Sequence, residues 1–564
     1  MNARKRIVVV GGVAGGASCA ARVRRLSEDS EIIVFERGPY VSFANCGLPY
    51  YVGDIIQKED KLLVATAELF KTRFNIEVRT EHEVIAIDRE RQEIQVRNLR
   101  TGASYGEPYD ALVLAPGAAP IRPRLPGIDL LGIFTLRTIP DSRDIRQWIA
   151  ESGAKTAVVV GAGFIGLEMA ENLVQRGLTV AVVEMLGQVL PPLDPELAEL
   201  VRQRLVEKGV SVHLNDAVAS FERDSSGNLV VRTQSGTAIP AGLVVLGLGV
   251  RPEIQLAKQA GLAIGEKNGI RVDDSMRTSD PNIWAVGDAV ESRDFVTREW
   301  CVVPLAGPAN RQGRIAADSI CGRTAHFRGV QSTAVCGVFG LTVAMTGASE
   351  KTLNRCGITG FDKVYLHPND HVTYYPGAKP IHMKLLFSRD DGRVLGAQAV
   401  GEEGVERRID VIAMAIQKGA TTYDLEEADL CYAPQFGSAK DAVNFAGMVA
   451  SNVRRGDVAL ACWEQVPGTQ ALLLDVREPS EFKDGHVEGA VNIPLPQLRA
   501  RLGEVPADRE IWVYCAAGQR SYYALRILRQ HGYSRVRNLS GGFTTYKQFQ
   551  PALQKTKAAA GVTE

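Results

Sequence analysis

The sequence predicts an α/β chain of several domains, two of them wound around parallel strands, and three observations carry the prediction. Ile7-Val8-Val9-Val10 is a short uncharged run that passes at once into Gly11-Gly12-Val13-Ala14-Gly15-Gly16 and a helical pattern. Ala157-Val158-Val159-Val160 does the same ahead of Gly161-Ala162-Gly163-Phe164-Ile165-Gly166. From Leu472 onward the chain again alternates strand, turn and helix. At 564 residues it exceeds what one hydrophobic core serves, and roughly three to five domains are expected.

The bulk composition excludes some classes of partner. Lys plus Arg and Asp plus Glu each number 65, so no overall field favours nucleic acid or an anionic membrane, and an anionic ligand must be held by a local cluster. Arg4-Lys5-Arg6 ahead of Ile7 to Val10 imitates a signal peptide, but the glycines that follow read as a strand and turn. Ala241 to Val250 is ten residues without charge, well short of the roughly 18 that a membrane span needs. A soluble, cytoplasmic protein is expected. The nine cysteines are odd in number and none lie two apart, so neither a disulfide framework nor a metal site is expected.

In chain order, the first glycine turn has the composition of a helix N-terminus on which a dinucleotide pyrophosphate lies, with Gly11, Gly12 and Gly16 allowing close backbone approach. Val13 stands where the second glycine of the usual fingerprint would be. On the helix that follows, Ser18, Arg22 and Arg25 share a face by their spacing, either as a solvated surface or as the seat of a polyanion. The strand Ile32 to Phe35 delivers Glu36 twenty residues beyond Gly16, where a carboxylate accepts from a ribose hydroxyl. Val41-Ser42-Phe43-Ala44-Asn45-Cys46-Gly47-Leu48-Pro49-Tyr50-Tyr51 then places one cysteine with no local thiol partner. Pro49 marks a helix start whose N-terminal partial charge would favour a thiolate at Cys46.

The second fingerprint is complete, with Gly161, Gly163 and Gly166, followed by Glu168 and Glu171 on its helix. Glu184 lies eighteen residues past Gly166, where a carboxylate would accept from the adenosine ribose and repel a 2′-phosphate, which predicts NADH over NADPH. Leu112-Val113-Leu114-Ala115-Pro116-Gly117 closes the first half of the outer fold, and Gly247-Leu248-Gly249 closes the inserted one. Thr278-Ser279-Asp280-Pro281-Asn282-Ile283-Trp284-Ala285-Val286-Gly287-Asp288 follows.

This arrangement resembles the flavoprotein disulfide reductase superfamily over about residues 5 to 445. The resemblance implies two Rossmann-like domains, one for FAD (1–120 and 250–330) and one for NAD(P)H (121–249), then an α+β dimerisation domain (331–448) and hence a homodimer. It implies that Asp288 holds the FAD ribityl chain. Arg37, Ala115, Gly117, Gly287 and Ala306 complete the expected FAD contacts, and Ile165, Glu168 and Gly249 those of the nicotinamide dinucleotide. After a linker (449–465), Leu472 to Glu478, Gly485 to Pro494 and Ile511 to Ser521 resemble an α/β rhodanese domain (466–555), in which Cys515 carries sulfane sulfur and Arg520 assists. The loop after Cys515 is of the kind whose backbone N–H groups form an anion-binding nest.

Classical members of the superfamily carry two cysteines separated by four residues, whereas here Tyr51 stands where the second would be. Sulfenic acid, a mixed disulfide with a small thiol, or a persulfide remain open to Cys46. No histidine precedes His82, unlike the first glycine turn of the NADH peroxidases. Ser42 to Tyr51 instead resembles the coenzyme A disulfide reductase and NADH-dependent persulfide reductase group. That resemblance implies a coenzyme A site with Ser18, Arg22, Ser42 and Asn45, with Arg25, Lys71 and Arg73 as further phosphate contacts. It also implies that Tyr374 and Tyr432 come from the second subunit to protonate the leaving sulfur. The expected activity is NADH-dependent reduction of a coenzyme A persulfide, polysulfide or related small persulfide. Coenzyme A disulfide reductase, NADH peroxidase and a redox-sensing sulfur-trafficking protein are the alternatives.

Overall fold

The computed structural model describes residues 5–559, and their side chains as far as Gln550, so Arg4 of the basic N-terminal cluster lies outside the described residues. The chain divides into two compact units, one made of residues up to 187 together with 209–332, the other of 188–208 together with 333 onward.

The first unit holds two five-stranded sheets of the same design. In one, the order is Ile283–Ala285, Ala111–Leu114, Arg6–Val10, Glu31–Glu36 and Glu77–Thr80, all parallel. In the other it is Ser211–Leu214, Thr179–Glu184, Thr156–Val160, Leu243–Leu246 and Ile133–Phe134, again parallel. Parallel strands are covered on both faces, which is why Ile7 to Val10 and Ala157 to Val160 are continuous apolar runs and why both are buried. Each fingerprint strand is central in its sheet, so its glycine turn opens at the carboxyl edge where neighbouring connections diverge, the place where open α/β sheets bind ligands. A three-stranded antiparallel sheet accompanies each, His82–Asp88 to Ser104–Pro108 in the first and Val218–Arg223 to Ala238–Ala241 in the second.

In the second unit an antiparallel sheet runs Ala334–Val338, Leu341–Gly347, Val394–Gly401, His382–Ser388, Phe361–Leu366. The helix Val405–Lys418 covers it with Val405, Ile409, Ile412 and Ile416 buried, and starts earlier than its apolar pattern because Gly404, at φ 65°, turns the chain into it. A parallel sheet then follows the order Leu460–Ala461, Val536–Leu539, Ile511–Tyr514, Leu472–Asp475, Val491–Asn492. The α/β class expected from the sequence is the class observed. The linker expected at 449–465 is not a free segment. Its first part completes the helix Ala442–Arg454, Leu460–Ala461 is an edge strand, and Trp463 is fully buried against Tyr514 and Tyr546. Among the described residues no helix is long and apolar enough to cross a membrane.

The helix Pro195–Glu207, which the sequence places within the nicotinamide half, belongs to the second unit. Lys384 is completely buried there, with Nζ 2.9 Å from Asp194, 2.6 Å from Glu196 and 2.6 Å from Glu350. Burial opposes ionisation of Glu196 and Glu350, yet Lys384 holds both carboxyls below their ordinary value.

A second polar cluster ties the antiparallel sheet to the last helix. His367 and His382 meet through their Nδ1 atoms at 2.9 Å, His367 Nε2 lies 2.8 Å from Thr545 Oγ1, and Gln548 Nε2 reaches His382 Nδ1 at 3.3 Å. Burial pushes His367 down to about 3 and His382 to about 4. Because the unfolded imidazoles bind protons from about pH 6.5 downward and the folded ones do not, stability present above pH 6.5 is lost as pH falls towards 4. Each histidine contributes up to about 1.4 kcal/mol per pH unit across that window. Urea titrations between pH 7 and 4.5 are expected to show a steeper loss in the wild type than in a His367→Asn/His382→Asn variant.

Candidate active site

The two glycine turns are built alike. Gly11 (φ 93°) and Gly161 (φ 100°) adopt a left-handed backbone that a side chain disfavours. A Cβ on Gly16 would come within 1.9 Å of the Gly11 carbonyl, and one on Gly166 within 2.0 Å of the Gly161 carbonyl, so each helix can only pack this closely on its strand through glycine. The carboxylates at the ends of the second strands brace these turns. Glu36 accepts from the Gly12 and Gly38 N–H groups, both at 2.9 Å, and Glu184 from Ala162 at 2.8 Å and Leu186 at 2.9 Å. Burial raises the Glu36 carboxyl above its usual value against the pull of those N–H donors. No neighbour lies within 4 Å of where a Cβ on Gly163 would stand, which leaves that turn open for close approach of a pyrophosphate. Ile165 and Glu168 lie on the helix Phe164–Gln175 that leaves it, and the Gly249 carbonyl, beyond the neighbouring strand, accepts from Ile121 N.

A cleft of about 570 Å³ runs from the first turn to Cys46, lined by Gly11, Glu36, Cys46, Arg137, Asp288 and Ala306 among others. Arg37, Ala115, Gly117 and Gly287 also line it. An elongated cradle with a glycine turn, the Glu36 carboxylate in its lining and a second carboxylate at Asp288 fits a two-headed dinucleotide such as FAD.

Cys46 sits in the short helical turn Asn45–Gly47, directly before the helix Leu48–Val52. The predicted helix start is present, but the predicted lowering of the thiol is not. Burial, then the charge of Glu168, pushes the Cys46 thiol up, with Asp288 adding and Arg137 opposing. A helix of five residues carries too little dipole to outweigh burial and the charge of Glu168. Arg137, which sequence reasoning missed, donates to Asp288 at 3.0 Å, and its carbonyl accepts from Asn45 Nδ2 at 3.0 Å. Its local signal is its place just before the Thr138/Asp141 capping box, whose Asp141 also accepts from Arg137 N. Tyr50 donates to Glu168 at 3.2 Å. Tyr51 is buried with the Arg146 guanidinium 4.3 Å from its ring centre, so a packed aromatic fills the position of a second thiol.

The residues assigned to a polyanion are placed unevenly. Ser18 Oγ bonds to Asn310, and Arg22 is paired with Asp318 at 2.8 Å rather than lying on a merely solvated face. Arg25, Lys71 and Arg73 are exposed. Arg24, which the sequence did not single out, is buried and donates to the carbonyls of Phe74 and Asn75, which brings the helix ends bearing Arg25 and Arg73 side by side. Ser42 has φ 48°, and its N–H donates to the Gly12 carbonyl, tying the Cys46 segment to the first turn.

In the second unit, Tyr374 and Tyr432 are 73% and 45% exposed, and their hydroxyls meet at 2.7 Å. They are therefore not core tyrosines, and the Tyr374 bond holds the Tyr432 hydroxyl above its usual pKa. Cys515 follows the strand Ile511–Tyr514 and is nearly buried; its Sγ accepts from Gly518 N at 3.1 Å and from Ser521 Oγ at 3.5 Å. Arg520, in the first turn of the helix Gln519–Gln530, is held by Glu481 through two bonds of 2.7 Å. These contacts suit a thiolate or persulfide at Cys515.

Residues 5–313 match the family described as Pyridine nucleotide-disulphide oxidoreductase, 333–443 match its dimerisation domain and 461–549 match a Rhodanese-like domain. The chain is 35% identical over 446 residues to the coenzyme A disulfide reductase of Staphylococcus epidermidis, covering 79% of this chain and 99% of that protein. It superposes on the crystal structure of reduced Bacillus anthracis CoADR-RHD with a TM-score of 0.95 and 47% identity, covering 97% of this chain and 99% of that one. For the NAD-dependent persulfide reductase from A. fulgidus the TM-score is 0.89 and the identity 40%, over 96% of this chain and all of that one, 100%. With its twin glycine turns and braced carboxylates, the chain belongs to the pyridine nucleotide-disulphide oxidoreductase family and is an oxidoreductase that uses FAD and NADH.

Proposed function

We propose that this enzyme reduces the persulfide of coenzyme A, or a closely related small persulfide or polysulfide, through Cys46. The observation that carries the reading is Cys46 opening onto the cofactor cleft while Tyr51, packed beneath Arg146, occupies the place of a partner thiol. A cysteine so placed forms a disulfide only with sulfur brought from outside. The fused domain holding Cys515 favours a persulfide over a simple disulfide, and the chain's similarity to a coenzyme A disulfide reductase and an NAD-dependent persulfide reductase supports the same substrate class.

In this reading Gly11, Gly12, Gly16, Glu36, Arg37 and Asp288 hold FAD, and Gly161, Gly163, Gly166, Glu168 and Glu184 hold NADH. When bound, FAD would supply the two-electron redox chemistry that links NADH to sulfur at Cys46. Arg137 opposes the carboxylates around Cys46 and so favours its thiolate. That thiolate attacks the inner sulfur of the persulfide: a Cys46–sulfur bond forms, the persulfide's own sulfur–sulfur bond breaks, and hydrosulfide leaves and takes up a proton. Two electrons then cleave the mixed disulfide, releasing the coenzyme thiol and restoring the Cys46 thiolate. Ser18, Arg22, Ser42 and Asn45, with Arg25, Lys71 and Arg73 further out, seat the coenzyme. Tyr374 and Tyr432 of a second copy in a homodimer hold and move the proton at the leaving sulfur. The compartment proposed is the cytoplasm, whose reducing poise suits free cysteines at every described position.

Anaerobic NADH oxidation with coenzyme A persulfide, coenzyme A disulfide, polysulfide and peroxide tests this. The expected result is the highest kcat/KM for the persulfide, with one sulfide released per NADH. A higher value for peroxide, or for coenzyme A disulfide, overturns it. The disulfide is the second reading because the staphylococcal relative is matched over 99% of its length by only 79% of this chain.

A further inference from the structure

The charge balance around Cys515 discriminates between sulfur donors. The loop from Cys515 to the next helix, Ala516-Ala517-Gly518-Gln519, carries no charge, so its only cation is Arg520 at the helix start. Glu481 accepts from both terminal nitrogens of that guanidinium at 2.7 Å, with the two side chains 32% and 35% exposed. Glu478 lies close enough to add a second negative charge to the field at Arg520. Arg477 is spent on Asp475 and the Gly485 carbonyl, and Lys547 is an exposed side chain 5.8 Å from the Phe543 ring, where solvent screens it. The Gly518 N–H is aimed at Sγ itself at 3.1 Å, while the Ser521 hydroxyl, 3.5 Å from Sγ, lies 3.0 Å from the Gly518 carbonyl.

We propose that Glu481 is a positioning residue that neutralises Arg520, so that Cys515 takes sulfane sulfur from organic persulfides and rejects the dianion thiosulfate. This rests on Cys515 acting as a sulfur carrier and names the class of donor it accepts. With a persulfide, the Cys515 thiolate attacks the outer sulfur, the sulfur–sulfur bond of the donor breaks, and the donor departs as a thiolate while Cys515 becomes a persulfide. With thiosulfate the same attack releases sulfite, but two negative charges must first approach a thiolate beside a neutralised arginine. Freeing Arg520 lowers that barrier for thiosulfate and changes the persulfide reaction little.

The test uses the full-length chain with Cys46→Ser, which silences NADH turnover, so that failure at Cys515 is distinct from failure of the reductase reading. Single-turnover sulfur loading of Cys515 is followed by mass spectrometry with pantetheine persulfide or thiosulfate as donor. Loading from the persulfide is expected to be at least about tenfold faster than from thiosulfate, and Glu481→Gln to raise the thiosulfate rate about fivefold or more with the persulfide rate within about twofold. Glu481→Asp, which keeps the charge, is expected to retain the wild-type preference. A wild type that prefers thiosulfate, or a Glu481→Gln variant with intact circular dichroism and an unchanged donor ratio, overturns the proposal.

Discussion

Cys46→Ser is expected to lower persulfide-dependent NADH oxidation by at least about 10³-fold, because a serine hydroxyl is a far weaker nucleophile towards sulfur and cannot store the transferred sulfur as a disulfide. The same variant keeps Glu36, Asp288 and both glycine turns, so the flavin absorbance and its bleaching by NADH in stopped flow should persist. Retention of full persulfide turnover would show that the cysteine in the cleft is not where the electrons leave. The environment of Cys46 adds a pH signature. With burial and Glu168 raising its thiol, the wild-type rate should climb with pH towards the alkaline side, and a Glu168→Gln variant should move that rise to lower pH.

Lys384→Met is expected to cost about 3–5 kcal/mol of stability, since it strips the cation from a buried cluster and leaves its carboxylates facing one another. Burial with three carboxylates at 2.6–2.9 Å makes Lys384 the kind of charge whose removal hurts most. Urea unfolding at pH 7.5 measures the loss. Since the stranded carboxylates can take up protons, the deficit should shrink as pH falls towards 5. An unchanged midpoint would mean that the cluster contributes nothing net.

The parts of this molecule that were legible in its sequence are those set by neighbours along the chain. The glycine turns, the carboxylates at Glu36 and Glu184, and the strand that leads into Cys515 each follow from a few adjacent residues and the period of a strand or helix. Arg137 was not legible, because its value lies in meeting Asp288, 151 positions away. The same holds for Arg22, whose spacing shows which face it occupies but not that Asp318 waits on another helix. Proline at the start of a helix was read correctly at Pro49, while the acidity of Cys46 was misread, because what raises its pKa, burial first and then the charge of Glu168, is set by remote segments. Tyr374 and Tyr432 could be named only through the family resemblance, and only folding shows an exposed pair joined through its hydroxyls.

The short excursion at 188–208 bears on how such a protein can be inherited. That segment supplies Asp194 and Glu196 to Lys384, although residues on either side of it belong to the other unit. A gene cut at residue 332 would therefore transmit Lys384 and Glu350 without two of the three carboxylates they are built around. The region from 333 onward is not a cassette that recombination can lift out intact, because its fold depends on a segment encoded upstream within the other unit.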